Sequence, residues 1–275
     1  GVVRTGVFLM CSTFILFGLA LTQSRTAWLV VICLVVGAWI FRRAWSNSRT
    51  PLLITVLGGL FFLFVFSIEP ISRLLYLEGY DLGGRASAGL VVRPLAWWMF
   101  LDAIFSAPWF GYGWNQTLLA QVAVIDSHDK LHGLSFSQAH NLFVDLLVWT
   151  GVPLGLMLIL TSAVWYIHVF KKIESEMQVL LLFAVTTVVV HAMLEFPLHY
   201  AYFLLPTGVF VGSLCGSLQQ RALFLLNWKA VAFIWLVCAL GLAITVHEYL
   251  KIEENFFALR FEMRRIGTGG AAATP

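Results

Sequence analysis

The sequence predicts an all-α integral membrane protein, a polytopic helical bundle of about seven spans with one large loop outside the membrane that contains an amphipathic helix. Composition is the first of three supporting observations, since 60% of the 275 residues are hydrophobic and 11% are charged. A soluble domain carries about a quarter charged residues, so this chain lacks the polar surface that a water-exposed globule needs. The other two observations are the lengths of the apolar runs and the positions of the basic residues between them.

Seven apolar runs approach the length of roughly 17–25 residues that a spanning helix needs. They cover residues 6–22, 27–41, 51–68, 142–170, 178–195, 200–218 and 228–247. The chain thus divides into three spans within 1–68, a long loop at 69–141, four spans within 142–247 and a C-terminal tail at 248–275. The fourth run is long enough to include a turn around Gly151 and Pro153. We expect the chain to belong to a longer protein, with the tail as the start of a further region.

Basic residues are concentrated in every second connection, and this pattern sets the orientation. They follow spans two and four and flank the link between spans six and seven: Arg42, Arg43, Arg49, Lys171, Lys172, Arg221 and Lys229. A chain that crosses the membrane alternately places all of them on the cytoplasmic side. The turn at 23–26, the loop at 69–141 and the turn at 196–200 then share the opposite, outer side.

The long loop contains a second helical pattern. Residues 93–106 place five apolar side chains on one helical stripe, namely Leu95, Trp98, Met99, Ala103 and Ile104. Pro108 and the Gly111–Gly113 turn predict where this helix ends. We expect an amphipathic helix on the outer face, followed by a polar stretch at 126–138.

Charge and cysteine usage indicate neither nucleic-acid binding nor a framework of disulfides or zinc. The net charge of +3 is small and does not indicate a nucleic-acid surface. The four cysteines lie inside apolar runs, so they predict neither a disulfide framework nor a zinc site. They are Cys11, Cys33, Cys215 and Cys238.

Six residues that could carry chemistry come from four separate regions, yet the predicted topology places them all at the outer face. They are Arg25, Arg85, Arg93, His140, Glu195 and His199. An arginine in a tight turn between apolar spans is costly without an anionic partner, and its guanidinium binds phosphate oxygens bidentately. The three arginines are therefore candidate phosphate ligands. The alternatives are snorkelling to lipid headgroups for Arg25 and an ordinary surface position for Arg85.

His140 opens the fourth span directly after the polar stretch, at the predicted outer interface. A neutral histidine can act as a base towards an acceptor hydroxyl, and a structural role is the alternative. Asn141 follows as a candidate helix cap.

Glu195 is costly at a membrane interface without a partner, and one of the arginines is the natural candidate. It stands four residues from both His191 and His199, a spacing that resembles a metal-ligand ladder, but Pro197 breaks the helix between them. We predict no metal site here. We also predict none in the polar stretch, whose acidic residues and histidines match no defined ligand motif: Asp126, His128, Asp129 and His132.

Several phrases of the sequence, from about residue 20 to 215, resemble the O-antigen ligase and polymerase superfamily. They are Arg25-Thr26-Ala27-Trp28-Leu29, Arg93 with Trp97 and then Pro108–Gly113, and His140-Asn141 with Gly151 after them. The phrase HAMLEFPLHY, residues 191–200, resembles the bacterial protein O-oligosaccharyltransferases that glycosylate pilins. The sequence departs from the ligase pattern in one respect, because Gly151 is followed by Gly155 rather than by a glycine three residues on.

The resemblance implies a multi-pass glycosyltransferase of the bacterial inner membrane whose active face, including the 69–141 loop, is periplasmic. It implies transfer of an oligosaccharide from undecaprenyl diphosphate to Ser or Thr of a pilin-like protein, without a cofactor, nucleotide sugar or essential metal. The expected roles are diphosphate binding for Arg25, Arg93 and Arg85, catalytic base for His140, and acceptor or structural support for Asn141, Glu195, His199 and Tyr200.

Other functions stay open at this point. An O-antigen ligase that acts on lipid A-core, or a Wzy-type polysaccharide polymerase, shares these motifs and uses a sugar hydroxyl as the acceptor. A polytopic transporter is the alternative from another class, but transporters place ionisable groups or broken helices near the bilayer midplane. Here the polar groups gather at one interface, which favours interfacial chemistry. A non-catalytic lipid-binding scaffold would fit the arginines but would leave His140 unexplained.

Overall fold

A computed structural model describes residues 2–76, 82–218 and 227–263, with the backbone alone at 2–5, 82–91, 258 and 261–263. The chain forms two compact units, Gly1–Gln220 and Arg221–Pro275. In the described residues of the first unit the helices are α1 (Val2–Leu21), α2 (Arg25–Ile40), α3 (Thr50–Leu74), α4 (Leu82–Ser106), α5 (Thr117–Val124), α6 (Leu142–Lys171), α7 (Glu176–Ala192) and α8 (Ala201–Ser217). Short 3-10 turns lie at Ile125–Ser127, Asp129–Leu131 and Pro197–His199. The second unit contains α9 (Trp228–Met263).

The predicted all-helical class is confirmed, since these ranges contain helices and no strand. Three of the helices described are long and apolar enough to cross a membrane: Thr50–Leu74, Leu142–Lys171 and Trp228–Phe257. The other predicted spans correspond to shorter apolar helices at Gly6–Leu21, Arg25–Ile40, Glu176–Ala192 and Ala201–Ser217. The count of about seven spans therefore stays a prediction.

Contacts between helices define two ends of the first unit. Trp39 Nε1 donates a hydrogen bond of 2.9 Å to Thr55 Oγ1, so α2 and α3 form an antiparallel pair. Ser46, just after α2, donates its backbone N–H to Glu176 at the start of α7 over 3.1 Å, so α2 and α7 are antiparallel as well. The beginning of α2 consequently lies at the same end as the last turn of α7.

The predicted basic clusters of the first unit share the other end. The Phe41 ring, just after α2, lies 4.8 Å from the Phe170 ring in the last turn of α6. Arg42, Arg43 and Arg49 follow the first of these aromatic residues, and Lys171 and Lys172 follow the second. Arg221 lies outside the described residues, and Lys229 belongs to the second unit. Two of the predicted basic clusters thus lie at one end of the first unit, and their cytoplasmic orientation stays a prediction.

The amphipathic helix predicted at 93–106 is the second half of α4, which ends at Ser106 as expected but begins at Leu82. Its buried face consists of Ala96, Met99, Phe100, Ala103 and Ile104. The prediction was wrong for Trp98, which is 64% exposed. The buried stripe is rotated away from Trp98 because α4 packs against both α5 and α6.

The helix α9 is longer than the span predicted at 228–247, since it continues to Met263. Residues 248–260 are more polar than residues 228–247, but they include glutamate, lysine and leucine, which are strong helix formers. Lys251 Nζ also lies 3.6 Å from Glu248 Oε1, one turn earlier. The helix therefore continues where the drop in hydropathy predicted a tail.

Candidate active site

His140 lies in a tight turn between the polar stretch and α6. Its φ of +53° is in the left-handed region, which costs a residue with a Cβ roughly 1–2 kcal/mol. Asn141 is the N-cap of α6, and its Oδ1 accepts from the backbone N–H groups of Phe143 at 3.0 Å and Val144 at 3.4 Å. The predicted cap is therefore present, and the histidine sits in a strained position directly before it.

Glu195 joins two of the predicted site residues. Its Oε1 accepts a hydrogen bond of 3.0 Å from Arg93 Nη2, and its Oε2 lies 3.6 Å from His140 Nδ1. The partner expected for Glu195 is therefore Arg93, from a helix 102 residues earlier in the chain. All three side chains are about one-third exposed, so the pair is neither buried in the core nor fully solvated.

The spacing between Glu195 and His140 has a chemical consequence. At 3.6 Å it is longer than a normal hydrogen bond, and Nδ1 is buried without a hydrogen-bond partner among the described residues. The contact is nevertheless suited to holding a proton on Nδ1, which would leave Nε2 as the basic nitrogen. A carboxylate in this position would also stabilise the imidazolium that forms when Nε2 accepts a proton.

His199 shares a ring neighbour, Phe196, with His140. The Phe196 ring centroid is 5.6 Å from the His140 ring and 6.0 Å from the His199 ring. His199 also packs edge-on against Trp149 at 5.4 Å, and its Nδ1 lies 3.4 Å from Gln138 Nε2. Burial lowers the pKa of His199 below its ordinary value, which favours the neutral ring.

Tyr200 follows and is exposed. Its ring lies 5.9 Å from that of Phe196 and stacks on Tyr202 at 5.1 Å. The tyrosine is therefore at the edge of the cluster, where it could meet a second substrate.

The metal-ligand ladder suggested by the spacing of His191, Glu195 and His199 is interrupted, because α7 ends at Ala192 and a 3-10 turn begins at Pro197. In the polar stretch, His128 Nε2 lies 2.9 Å from Asp102 Oδ2. His132 Nε2 lies 3.1 Å from the Ile125 carbonyl oxygen. Within the described ranges no group of three potential metal ligands comes together.

Arg25 and Arg85 are the other two arginines predicted for the site. Arg25 is the first residue of α2. A Cβ on Gly37 would lie 2.8 Å from Phe183 Cε1 in α7, and both residues are 12 positions from Arg25 and Glu195 respectively. Because the two helices are antiparallel, Arg25 is expected at the end of the unit where α7 ends and Glu195 follows. The side chain of Arg85 lies outside the described residues.

A groove with a volume of about 590 Å³ opens beside His199. Its walls come from α6, from α8 and from the turn that contains Trp114. Most of the lining is apolar, with Leu142, Leu146, Leu158 and Leu204 among the residues, and Trp149 and Ser162 complete the α6 wall. The groove therefore runs from the site along α6, a helix long and apolar enough to cross a membrane.

The turn at 108–113 fixes the break in α6. Gly151 has φ 77° and ψ 173°, a region that is essentially restricted to glycine, and the turn packs against it. The backbone N–H groups of Tyr112 and Gly113 donate to the carbonyls of Val148 and Trp149, and that of Val152 donates to the Pro108 carbonyl. The turn predicted around Gly151 is therefore present, with its polar backbone groups bonded to a separate segment.

One acidic residue of this region was not singled out from the sequence. Asp145 lies in the first turn of α6 and is 4% exposed. It accepts hydrogen bonds from the backbone N–H of Ala139 at 2.9 Å and from Thr117 Oγ1 at 3.2 Å. A single acid changes the mean hydropathy of a long apolar run very little, but an ionisable residue inside a predicted span is itself a signal of function.

Comparison with known proteins gives the family. Residues 9–159, more than half of the chain, match the O-antigen ligase family, and residues 177–274 match the C-terminal region of virulence factor membrane-bound polymerases. The general O-oligosaccharyltransferase of Acinetobacter baylyi is 31% identical over 253 residues, which are 89% of this chain and 44% of that protein. The ComP-specific O-oligosaccharyltransferase of the same organism is 30% identical over 217 residues, 78% of this chain and 38% of that protein.

The chain thus spans less than half the length of either curated relative. No solved structure matches it. The family matches agree with the apolar helices described above, and they confirm the superfamily that the Arg25, His140 and Glu195 phrases predicted. This chain, a helical membrane protein, therefore belongs to the O-antigen ligase family.

Proposed function

We propose that this chain carries the active site of a glycosyltransferase that moves an oligosaccharide from undecaprenyl diphosphate to a hydroxyl group of an acceptor protein. The observation that carries the proposal is the chain of contacts from Arg93 through Glu195 to His140, in which the histidine is held in a strained turn. The names of the two Acinetobacter relatives, both O-oligosaccharyltransferases, support protein as the acceptor. We infer that the acceptor is a pilin-like protein.

In this mechanism His140 Nε2 takes the proton of the acceptor hydroxyl as the oxygen attacks the anomeric carbon. The new bond joins that oxygen to the sugar, and the bond between the anomeric carbon and the diphosphate oxygen breaks. The electron pair leaves with the polyprenyl diphosphate. Glu195 keeps the other ring proton on Nδ1 and stabilises the imidazolium, as the carboxylate does in a catalytic triad.

Arg25 is the residue that we assign to the diphosphate. It lies at the beginning of α2, where backbone N–H groups and the positive end of the helix dipole also favour an anion. Arg93 has a second task, because its guanidinium already bonds to Glu195. We infer that it fixes Glu195 and adds positive charge near the leaving group, while Arg85 joins Arg25 in binding the diphosphate.

The groove supports a lipid-linked donor. Its leucine-rich wall along α6, with Leu204 of α8 opposite, suits a hydrocarbon chain, because it offers many close apolar contacts. We assign contact with the acceptor to His199, which lines the groove, and to the exposed Tyr200 that follows it. The basic residues at the opposite end of the unit indicate the cytoplasmic side, which would make the site periplasmic in the bacterial inner membrane.

The test uses the purified full-length protein in detergent with lipid-linked oligosaccharide, in the presence of EDTA. Pilin and lipid A-core are offered as parallel acceptors, and the products are separated by mass. Variants His140→Ala, Glu195→Gln and Arg25→Ala are compared with His168→Ala, a matched control because His168 is an exposed histidine at the other end of α6.

We expect glycosylated pilin from the wild type and from the control. His140→Ala should lower the rate by about 10²–10⁴-fold, the usual contribution of a general base, and the other two variants should show smaller losses. A fully active His140→Ala variant would show that the base is another residue. Product on lipid A-core alone would identify a ligase, and polymerised glycan alone a polymerase. No transfer of any kind would refute the glycosyltransferase proposal.

A further inference from the structure

The turn that carries His140 needs support from outside itself. A histidine seldom adopts φ of +53°, so the surrounding structure must hold the backbone there. Asn141 is fixed on one side as the N-cap of α6. The residue on the other side, Ala139, is buried and is fixed more completely.

Both backbone polar groups of Ala139 are hydrogen-bonded to side chains. Its N–H donates to Asp145 Oδ1 over 2.9 Å, and its carbonyl oxygen accepts from Trp97 Nε1 over 2.8 Å. The first bond comes from α6 and the second from α4. The peptide groups that precede His140 are thus held from two helices at once.

Asp145 also takes part in hydrogen bonds beyond the one with Ala139. Its Oδ1 also accepts from Thr117 Oγ1 at 3.2 Å, and Thr117 Oγ1 accepts from Trp149 Nε1 at 2.7 Å. Among the described residues no cation pairs with this carboxylate. Neutral donors and the N-terminal turn of α6 are what stabilise it. A buried carboxylate without a cation is costly, and this cost favours a specific task for Asp145 over simple packing.

We propose that Asp145 is a positioning residue for His140. By holding the N–H of Ala139 it keeps the turn in its left-handed form and keeps the imidazole beside Glu195. The inference rests on the proposed function, because the benefit of this placement is a base aligned with the acceptor hydroxyl. Moving a catalytic group by about 1 Å can cost about 10²-fold in rate.

The variants that test this role separate the hydrogen bond of Asp145 from its charge. Asp145→Asn keeps an oxygen that can accept from Ala139, and we expect it to keep most of the activity. Asp145→Ala removes the acceptor and should lower kcat by about 10²-fold with little change in KM. Trp97→Phe removes the other bond to Ala139 and should also lower kcat. The matched control is Asp102→Ala, which removes a carboxylate that bonds to His128 instead and should retain wild-type kcat.

Thermal unfolding is measured for every variant, so that a loss of folded protein is separated from a loss of kcat. An equal loss in Asp145→Asn and Asp145→Ala would show that the charge matters rather than the hydrogen bond, and this would overturn the proposal. Unchanged kcat in folded Asp145→Ala would do the same. If Asp145→Ala does not fold, Trp97→Phe decides the question, because full kcat in that variant also contradicts the positioning role.

A second readout does not depend on activity. Diethyl pyrocarbonate modifies exposed histidines, and its rate at His140 can be followed by mass spectrometry of the corresponding peptide. A relaxed turn in Asp145→Ala should expose the ring and raise this rate, whereas an unchanged rate would overturn the proposal. A wild type that transfers no glycan would refute the proposed function alone, since the modification rate still tests the role of Asp145.

Discussion

Replacing Gly151 with alanine should destabilise the protein by opening the junction between α6 and the 108–113 turn. The φ and ψ of Gly151 lie in a region that is essentially closed to alanine. A Cβ at this position would lie 2.6 Å from the carbonyl carbon and oxygen of Trp109 and 2.7 Å from the nitrogen of Phe110. These are backbone atoms, so no side-chain rotation can relieve the contact.

The size of the effect follows from the strain and from the bonds at the junction. Backbone strain of this kind costs about 1–3 kcal/mol. Three backbone hydrogen bonds hold the junction: Tyr112 to Val148 at 2.9 Å, Gly113 to Trp149 at 3.0 Å and Val152 to Pro108 at 2.7 Å. Each contributes a net stabilisation of about 0.5–1.5 kcal/mol. Loss of all three together with the strain amounts to about 2.5–7.5 kcal/mol, which is comparable with the whole stability of many domains, about 5–15 kcal/mol.

The assay is thermal unfolding of the detergent-solubilised full-length protein, followed by tryptophan fluorescence. Even the lower estimate predicts a fall in Tm of about 5 °C or more. Gly59→Ala is the matched control, because a Cβ on this α3 glycine would meet no atom within 4 Å. It should leave Tm unchanged or raise it slightly, since alanine is the better helix former. Equal Tm values for the two variants would refute this account of the junction.

Two further predictions concern the groove and His199. Leu158→Trp would fill the groove and should raise KM for the lipid-linked donor about tenfold, because steric exclusion that removes about 1.4 kcal/mol of apolar contacts weakens binding by that factor. Leu160 is 60% exposed on α6, and Leu160→Trp should leave this KM unchanged. With a donor that has a short prenyl chain, the two variants should have the same KM. Equal KM values for the two variants with the full-length donor would argue against a lipid chain in the groove. Burial lowers the pKa of His199 in the folded protein, so the unfolded state binds protons more readily. The stability contributed by the neutral ring is therefore fully present above pH 6.5 and is lost as the pH falls below that value. The Tm of the wild type should therefore fall more than that of His199→Gln when the pH is lowered through this window, and parallel curves would contradict this.

The helices could be predicted well because apolar runs of spanning length have few alternatives. Their ends were harder to predict. Glu69 and Pro70 were expected to follow the end of the third span, yet α3 continues to Leu74. An ion pair between Glu69 and Arg73, four residues apart on one helix face, supports this extra turn. Hydropathy indicates where a helix becomes too polar for lipid, but it does not indicate where the helix stops.

The candidate site could be predicted in part. The cost of a carboxylate at an interface was enough to predict that Glu195 pairs with an arginine, and the structure identifies Arg93. The choice among the arginines could not be made from the sequence, because it depends on which arginine the tertiary fold brings to the segment after α7. The left-handed turn at His140 could not be predicted either. It is flanked by Ala139, whose N–H donates to Asp145 and whose carbonyl accepts from Trp97, and these contacts depend on the tertiary fold.

The kink in α6 has two causes, one inside the helix and one outside it. Pro153 has no N–H to donate to the Trp149 carbonyl, and the carbonyls before the break and an N–H after it are bonded to the 108–113 turn instead. The tips of that turn, Trp109 and Phe110, are 73% and 88% exposed, and tryptophan in particular settles among lipid headgroups. The 108–113 turn therefore acts as a clamp on α6, and the segment of the helix before the break, which begins directly after His140, keeps its direction only while this clamp is closed.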